Sequence, residues 1–108
     1  MSVEIHDNSK EVSDNIKAAL LRGLETCGLV AEGYAKKLAP VDTGNLRNSI
    51  THEVDDVETA AYIGTNVEYA PYQELGTIHM KAQPFLKPAV ADHANEYRKI
   101  IENELKNG

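Results

Sequence analysis

Tryptophan is absent from the 108-residue chain, and phenylalanine and cysteine occur once each. The five tyrosines are the remaining large rings, so the core has to be assembled from Leu, Ile, Val and Ala, with tyrosine hydroxyls reaching the surface. A lone thiol, Cys27, excludes an intrachain disulfide and fits a reducing compartment. No apolar run approaches the ~20 residues that a membrane span requires. The opening Met1-Ser2-Val3-Glu4-Ile5-His6-Asp7 has neither a basic n-region nor an apolar h-region. It does not read as a signal peptide, and cytoplasmic synthesis is expected. Basic residues are the scarcer charge: 11 Lys and Arg against 17 Asp and Glu give a net charge of −6 and a pI near 5.1. Sequence-independent nucleic-acid binders cluster Lys and Arg on phosphates, and the scattered basic residues here argue against that class. An acidic surface can still sit beside DNA if its task is to repel the polymer.

What is present suits one soluble domain, since typical domains run to ~100–150 residues and a hydrophobic fraction of 42% with 26% charged residues is ordinary. Val3 and Ile5 alternate with polar neighbours and permit a short opening strand. Val12, Ile16, Leu20, Leu24, Cys27, Val30, Tyr34 and Leu38 then recur at steps of three and four, the stripe of a helix over residues 9–38. Ser9 or Ser13 suits its cap, and Pro40 stops it. Such a helix would be roughly 45 Å long, so it has to overhang, bend or break. Gly23, Gly28 and Gly33 stand five apart, a spacing that turns them around the axis and forms no single close-packing seam.

From Leu46 to Val54 the period becomes two, the pattern of a half-buried strand. Asp55-Asp56 interrupts it, and Val57 to Ile63 reads as the antiparallel return, so residues 45–66 are expected to form a β-hairpin. Residues 69–76 read as a short helix, with Pro71 in its first turn and Gly76 just past its end. Residues 77–87 have no clear period and read as an extended loop, with Phe85-Leu86-Lys87 between Pro84 and Pro88 leading to a last helix over 88–106. Val90, Ala94, Tyr97, Ile101 and Leu105 supply its apolar stripe. The expectation is an α+β fold, a long N-terminal helix and a C-terminal helix packed on a small antiparallel β-sheet.

Asp42-Thr43-Gly44 is the triplet with the sharpest chemical meaning, because in aspartic proteases it carries one of two carboxylates that share a proton. The chain could dimerise to supply both, and Ile63-Gly64-Thr65-Asn66 imitates the segment expected downstream. Against this, a helical pattern and Pro40 precede the triplet where a protease has a strand, and two long helical patterns do not suit a nearly all-β fold. Turn chemistry explains the same residues: Asp42 and Thr43 bond nearby amides and Gly44 accepts a positive φ. The four histidines, His6, His52, His79 and His93, fall in separate elements without the close spacing of zinc ligands, so no metal is expected. Cys27 lies on the apolar stripe, Ser9, Ser13 and Ser49 lack a nucleophile-elbow setting, and no glycine loop opens a helix to cradle phosphate. No cofactor is expected.

Three blocks in order are more telling together: P-V-D-T-G-x-L from Pro40, Y-A-x-Y-x-E-x-G-T from Tyr69, and A-Q-P-F-L-x-P-A from Ala82. With them the chain resembles the head–tail joining, or tail-completion, proteins at the neck of long-tailed phages and prophages, of the coliphage gene-product-ten type. The resemblance runs over roughly residues 1–106 and is most specific at 39–89; Lys87-Pro88 stands where many members have Arg-Pro. It implies a non-enzymatic virion part, assembled in the bacterial host cytoplasm. Its partners would be the tail tube and a head-side connector, and it would form a homo-oligomeric ring when assembled and a monomer in isolation. Neither specific nucleic-acid binding nor membrane contact is implied. Tyr69, Tyr72, Glu74, Met80 and Phe85 are the candidate interface residues, and the loop at 77–83 is expected to meet neighbouring subunits. The alternative readings are a dimeric aspartic protease using Asp42 and a generic protein-binding module.

Overall fold

The longest periodic stretch of the sequence becomes the longest element. The computed structural model describes residues 2–6, 14–39, 44–68, 70–76 and 81–107, and in it helix α1 runs unbroken from Asp14 to Leu38. Residues 9–13 of the expected helix lie outside the described residues. At ~1.5 Å per residue, α1 is a rod of roughly 38 Å, and the molecule is drawn out along it to 50 × 22 × 21 Å. Asp14 in its first turn and Lys36 and Lys37 in its last complement the helix dipole.

The buried face of α1 differs from the expected stripe at Ile16, which is exposed, and again in its second half. Leu20, Leu24 and Cys27 are buried, but the line continues through Ala31, Ala35 and Ala39. Val30 and Tyr34 pack only at the edge of the core, and Leu38 is exposed. Alanines carry this half because the following elements approach the helix closely there, and a large side chain would hold them off.

Three strands, β1 (Ser2–His6), β2 (Thr51–Asp55) and β3 (Ala60–Gly64), form an antiparallel sheet in the order β1-β3-β2. Val3, Ile63 and His52 stand in one cross-strand row, and Ala61 and Val54 are partners two residues along. β2 and β3 pack against α1. The β2–β3 turn is held locally, since Asp55 Oδ1 accepts hydrogen bonds from the N–H groups of Val57 (2.9 Å) and Glu58 (3.1 Å). Thr59 there adopts a φ of 54°.

Two parts of the chain depart from expectation. Residues Gly44–Ser49, expected to begin the hairpin, form a short helix, α2. Leu46 and Ile50, both buried, stand four apart, a spacing that a helix face accepts as readily as a strand face. Asn48, which a strand would turn inward, is exposed. Ser49 Oγ donates to the Leu46 carbonyl at 2.7 Å and lies 2.5 Å from Thr65 Oγ1, tying α2 to the end of β3.

The C-terminal helix is two helices. After α3 (Ala70–Leu75), α4 spans Leu86–Ala91 and α5 spans Ala94–Asn107. Residues 86 and 87, expected as extended chain, are therefore helical. The break at Asp92-His93 has a visible cause. The Tyr97 hydroxyl donates to the Ala89 carbonyl, the acceptor that an unbroken helix would offer to the His93 N–H, which turns to Val90 O at 3.4 Å instead.

Each α1 glycine meets a different surface. A Cβ on Gly23 would lie 2.8 Å from Ile101 Cδ1 of α5, and one on Gly28 would lie 2.9 Å from His52 Cδ2 of β2, whereas Gly33 has nothing within 4 Å. Gly33→Ala should therefore stabilise the protein by about 0.5–1 kcal/mol through helix propensity alone. Gly28→Ala should destabilise it by about 1–3 kcal/mol through overpacking, because His52 is tethered at both ring nitrogens. Urea titrations of the two variants measure both signs.

Candidate functional site

The α3 segment is short, and one residue decides how it sits. Pro71 falls in its first turn, where no N–H donor is needed, and Gly76 follows its end with φ 77°, a left-handed conformation that glycine adopts without strain. Between them Glu74 turns inward and is 5% exposed. Its Oε1 accepts from the N–H groups of Phe85 (3.1 Å) and Leu86 (2.9 Å), and its Oε2 from Lys87 (3.2 Å). These are donors that a helix start leaves without partners, and Pro88 has no N–H to satisfy. The carboxylate also faces the positive end of α4. No side chain within α4 caps it; the cap comes from eleven residues earlier.

Glu74 and Phe85, expected at an interface, are thus inside the molecule, Phe85 with no exposed surface. A buried carboxylate holding three amides, and an aromatic ring under the helix it starts, are occupied by the fold. Tyr69 and Met80 lie outside the described residues, and Tyr72 belongs to α3 with its side chain outside them. Within α3 an exposed apolar residue is Leu75, at 73%, which sequence reasoning missed.

A polar seam joins β2 to α1. His52 Nδ1 lies 3.0 Å from Glu32 Oε1 and Nε2 lies 2.5 Å from Glu25 Oε1. Burial works against the charged imidazole, but the bonds to Glu32 and Glu25 outweigh it and raise the His52 pKa above 6.5. Burial likewise opposes ionisation of Glu32, and bonds from His52 and Lys36 overcome it, leaving its pKa below 4.5. On the α5 side, the Tyr34 hydroxyl donates to Glu96 at 2.6 Å and its ring stacks on His93 at 3.6 Å. Among the described residues no group of His, Cys, Asp and Glu side chains is arranged to hold a metal ion.

Asp42 and Thr43 lie outside the described residues. Leu38 ends α1 and Gly44 opens α2, so the triplet joins two helices instead of ending a strand as the protease geometry needs. Gly44 itself is helical, and the glycine of positive φ among the described residues is Gly76. Beside this junction Lys36, Lys37 and Arg47 line an open depression of about 260 Å³. Lys36 pairs with Glu32 at 3.3 Å, and Arg47 Nε is buried with no hydrogen-bond partner among the described residues.

The described residues thus form a small α+β fold whose inward polar groups are spent on holding elements together. Residues 4–76 match the HK97-gp10-like family, described as "Bacteriophage HK97-gp10, putative tail-component", and the chain belongs to that family. It therefore has a structural role in a phage tail, among other virion proteins. No curated protein and no solved structure matches the chain. The matched stretch includes Glu74 but stops short of the Phe85–Lys87 amides that Glu74 holds. No helix among the described residues is long and apolar enough to cross a membrane.

Two predictions arise here. Glu74→Ala should cost about 2–4 kcal/mol in urea unfolding, because buried amides lose their acceptor, and Glu74→Gln, which keeps one acceptor oxygen, should cost about half of that. The seam makes stability depend on pH with opposite signs at its two ends. The His52 contribution is complete below pH 6.5 and is lost as pH rises through its raised pKa. The Glu32 contribution is present above pH 4.5 and is lost as pH falls through its lowered one. Thermal midpoints should fall from pH 6.5 toward 8, and His52→Gln should flatten that fall.

Proposed function

We propose that the protein completes the phage tail at its neck, capping the tail tube and joining it to the head side as a ring of identical copies. It would do so without catalysis, after synthesis in the bacterial host cytoplasm. The supporting observation is the pairing of Glu74 and Leu75 on one short helix. Glu74 fixes α3 to the start of α4, so Leu75 is an apolar side chain held outward on an anchored support. A preorganised apolar group of this kind loses little entropy on docking. It stands at the head of the 77–83 segment, and Tyr72 shares its helix. The net charge of −6 suits a ring whose lumen must let DNA slide without gripping it.

Deletion of the gene should leave heads and tails that do not join, or tails of abnormal length, visible by electron microscopy. Leu75→Asp, expressed in the deletion background, should fail to restore joined particles while its thermal midpoint stays close to wild type, as an exposed substitution permits. Normal particles from the deletion would overturn the reading.

A further inference from the structure

The Lys36–Lys37–Arg47 grouping and the β2–β3 turn carry opposite charge, and Arg47 and the turn flank β2 in the chain. At the α1–α2 junction, Lys36, Lys37 and Arg47 surround an open depression of about 260 Å³. In a chain of net charge −6, this is a concentration of positive charge on one spot. Lys36 is partly neutralised by Glu32, but among the described residues Lys37 and Arg47 enter no ion pair, and the buried Arg47 Nε has no acceptor. Guanidinium N–H groups out of water without an acceptor are costly. A carboxylate entering the depression removes that cost and gains charge-assisted bonds.

The β2–β3 turn carries what such a depression would take. Val57 is the most exposed large apolar residue described, at 82%, and Asp56 and Glu58, both exposed, flank it. Asp55 spends its Oδ1 on the Val57 and Glu58 amides and so fixes the turn. The turn is thus held by its own hydrogen bonds and carries an apolar tip and two carboxylates that enter no ion pair among the described residues. Arg47 precedes β2 and the turn follows it; five extended residues at ~3.3 Å each place turn and depression on the order of 15 Å apart or more.

We propose that the Lys36–Lys37–Arg47 depression receives the Asp56-Val57-Glu58 turn of a second copy of this chain. The contact is head-to-tail: each copy offers the turn as a knob and the depression as a socket. Repetition of such a contact closes a ring when the rotation between copies permits. The inference rests on the reading of the protein as a ring component and names the surface that the ring would use.

Charge reversal of the full-length protein tests it by sedimentation velocity over rising protein concentration and at low and high salt. Wild type should associate with concentration and dissociate with salt. Lys37→Glu, Arg47→Glu and Asp56→Lys should each weaken association by about tenfold or more, as loss of an interfacial charge pair does. Arg47→Glu combined with Asp56→Lys in one chain should restore it. Lys37 is a surface residue, so its variant answers even if Arg47→Glu unfolds. Association unchanged by the reversals, a wild type monomeric throughout, or no recovery in the double variant each overturns the proposal. So does a result in which the reversals abolish binding of an oligonucleotide and leave association intact. If reversals leave association unchanged while Leu75→Asp still blocks joining, this contact is wrong and the neck function stands. If the deletion has no effect on particles while charge-swap rescue holds, the reverse is true.

Discussion

The Glu74 carboxylate leaves water to face the first turn of α4, and the three N–H groups it meets there make that burial possible. A buried carboxylate without a cation is expensive, and helix-start amides without acceptors are expensive too. Each solves the other's problem. The bond set joins α3 to α4 and seats Phe85 and Leu86 in the core, where Cys27, Ala31, Ile63 and Tyr97 also gather. Burial of two such side chains contributes roughly 1.5–3 kcal/mol apiece, and it depends on the chain entering α4 at the right place. α4 in turn presents the Ala89 carbonyl to Tyr97 and so sets where α5 begins.

α1 is the surface on which these parts are assembled, and its small residues divide it by neighbour. Gly23 lets α5 in, Gly28 lets β2 in, and Ala31 and Ala35 leave room for the core cluster. Gly23 and Gly28 serve as separate contact points on different sides of α1, while Gly33 meets open space. A helix of this length in a small protein stays ordered because one side of it is packed, here against the sheet, α4 and α5.

The α+β class, the long helix and the α3 boundaries were legible, because a stripe from Leu20 to Cys27 and the Pro71–Gly76 pair report local geometry directly. What could not be read was decided by contacts between distant residues. The α2 helix shares its Leu46–Ile50 spacing with a strand, and only its packing against α1 and its tie to Thr65 separate the two. The division of the last helix turns on a hydroxyl eight residues from the carbonyl it captures. For the site, Glu74 was expected as an interface contact, and the structure buries it. A glutamate flanked by glutamine and leucine looks like surface until the amides it holds, eleven residues on, are known. Leu75 and the Lys36–Lys37–Arg47 grouping depend in the same way on which side of a helix faces out.

The lone cysteine has a consequence beyond packing. Cys27 is wholly buried, its thiol is directed at the Tyr97 carbonyl at 3.6 Å, and burial together with the nearby Glu96 charge raises its pKa to about 11. The thiolate is the species that oxidants and disulfides attack, and here it is both scarce and out of reach. A virion protein must persist outside the cell in air. With its one thiol shielded in this way, the protein acquires no stray disulfides with its neighbours in a particle, and its contacts age without covalent scarring.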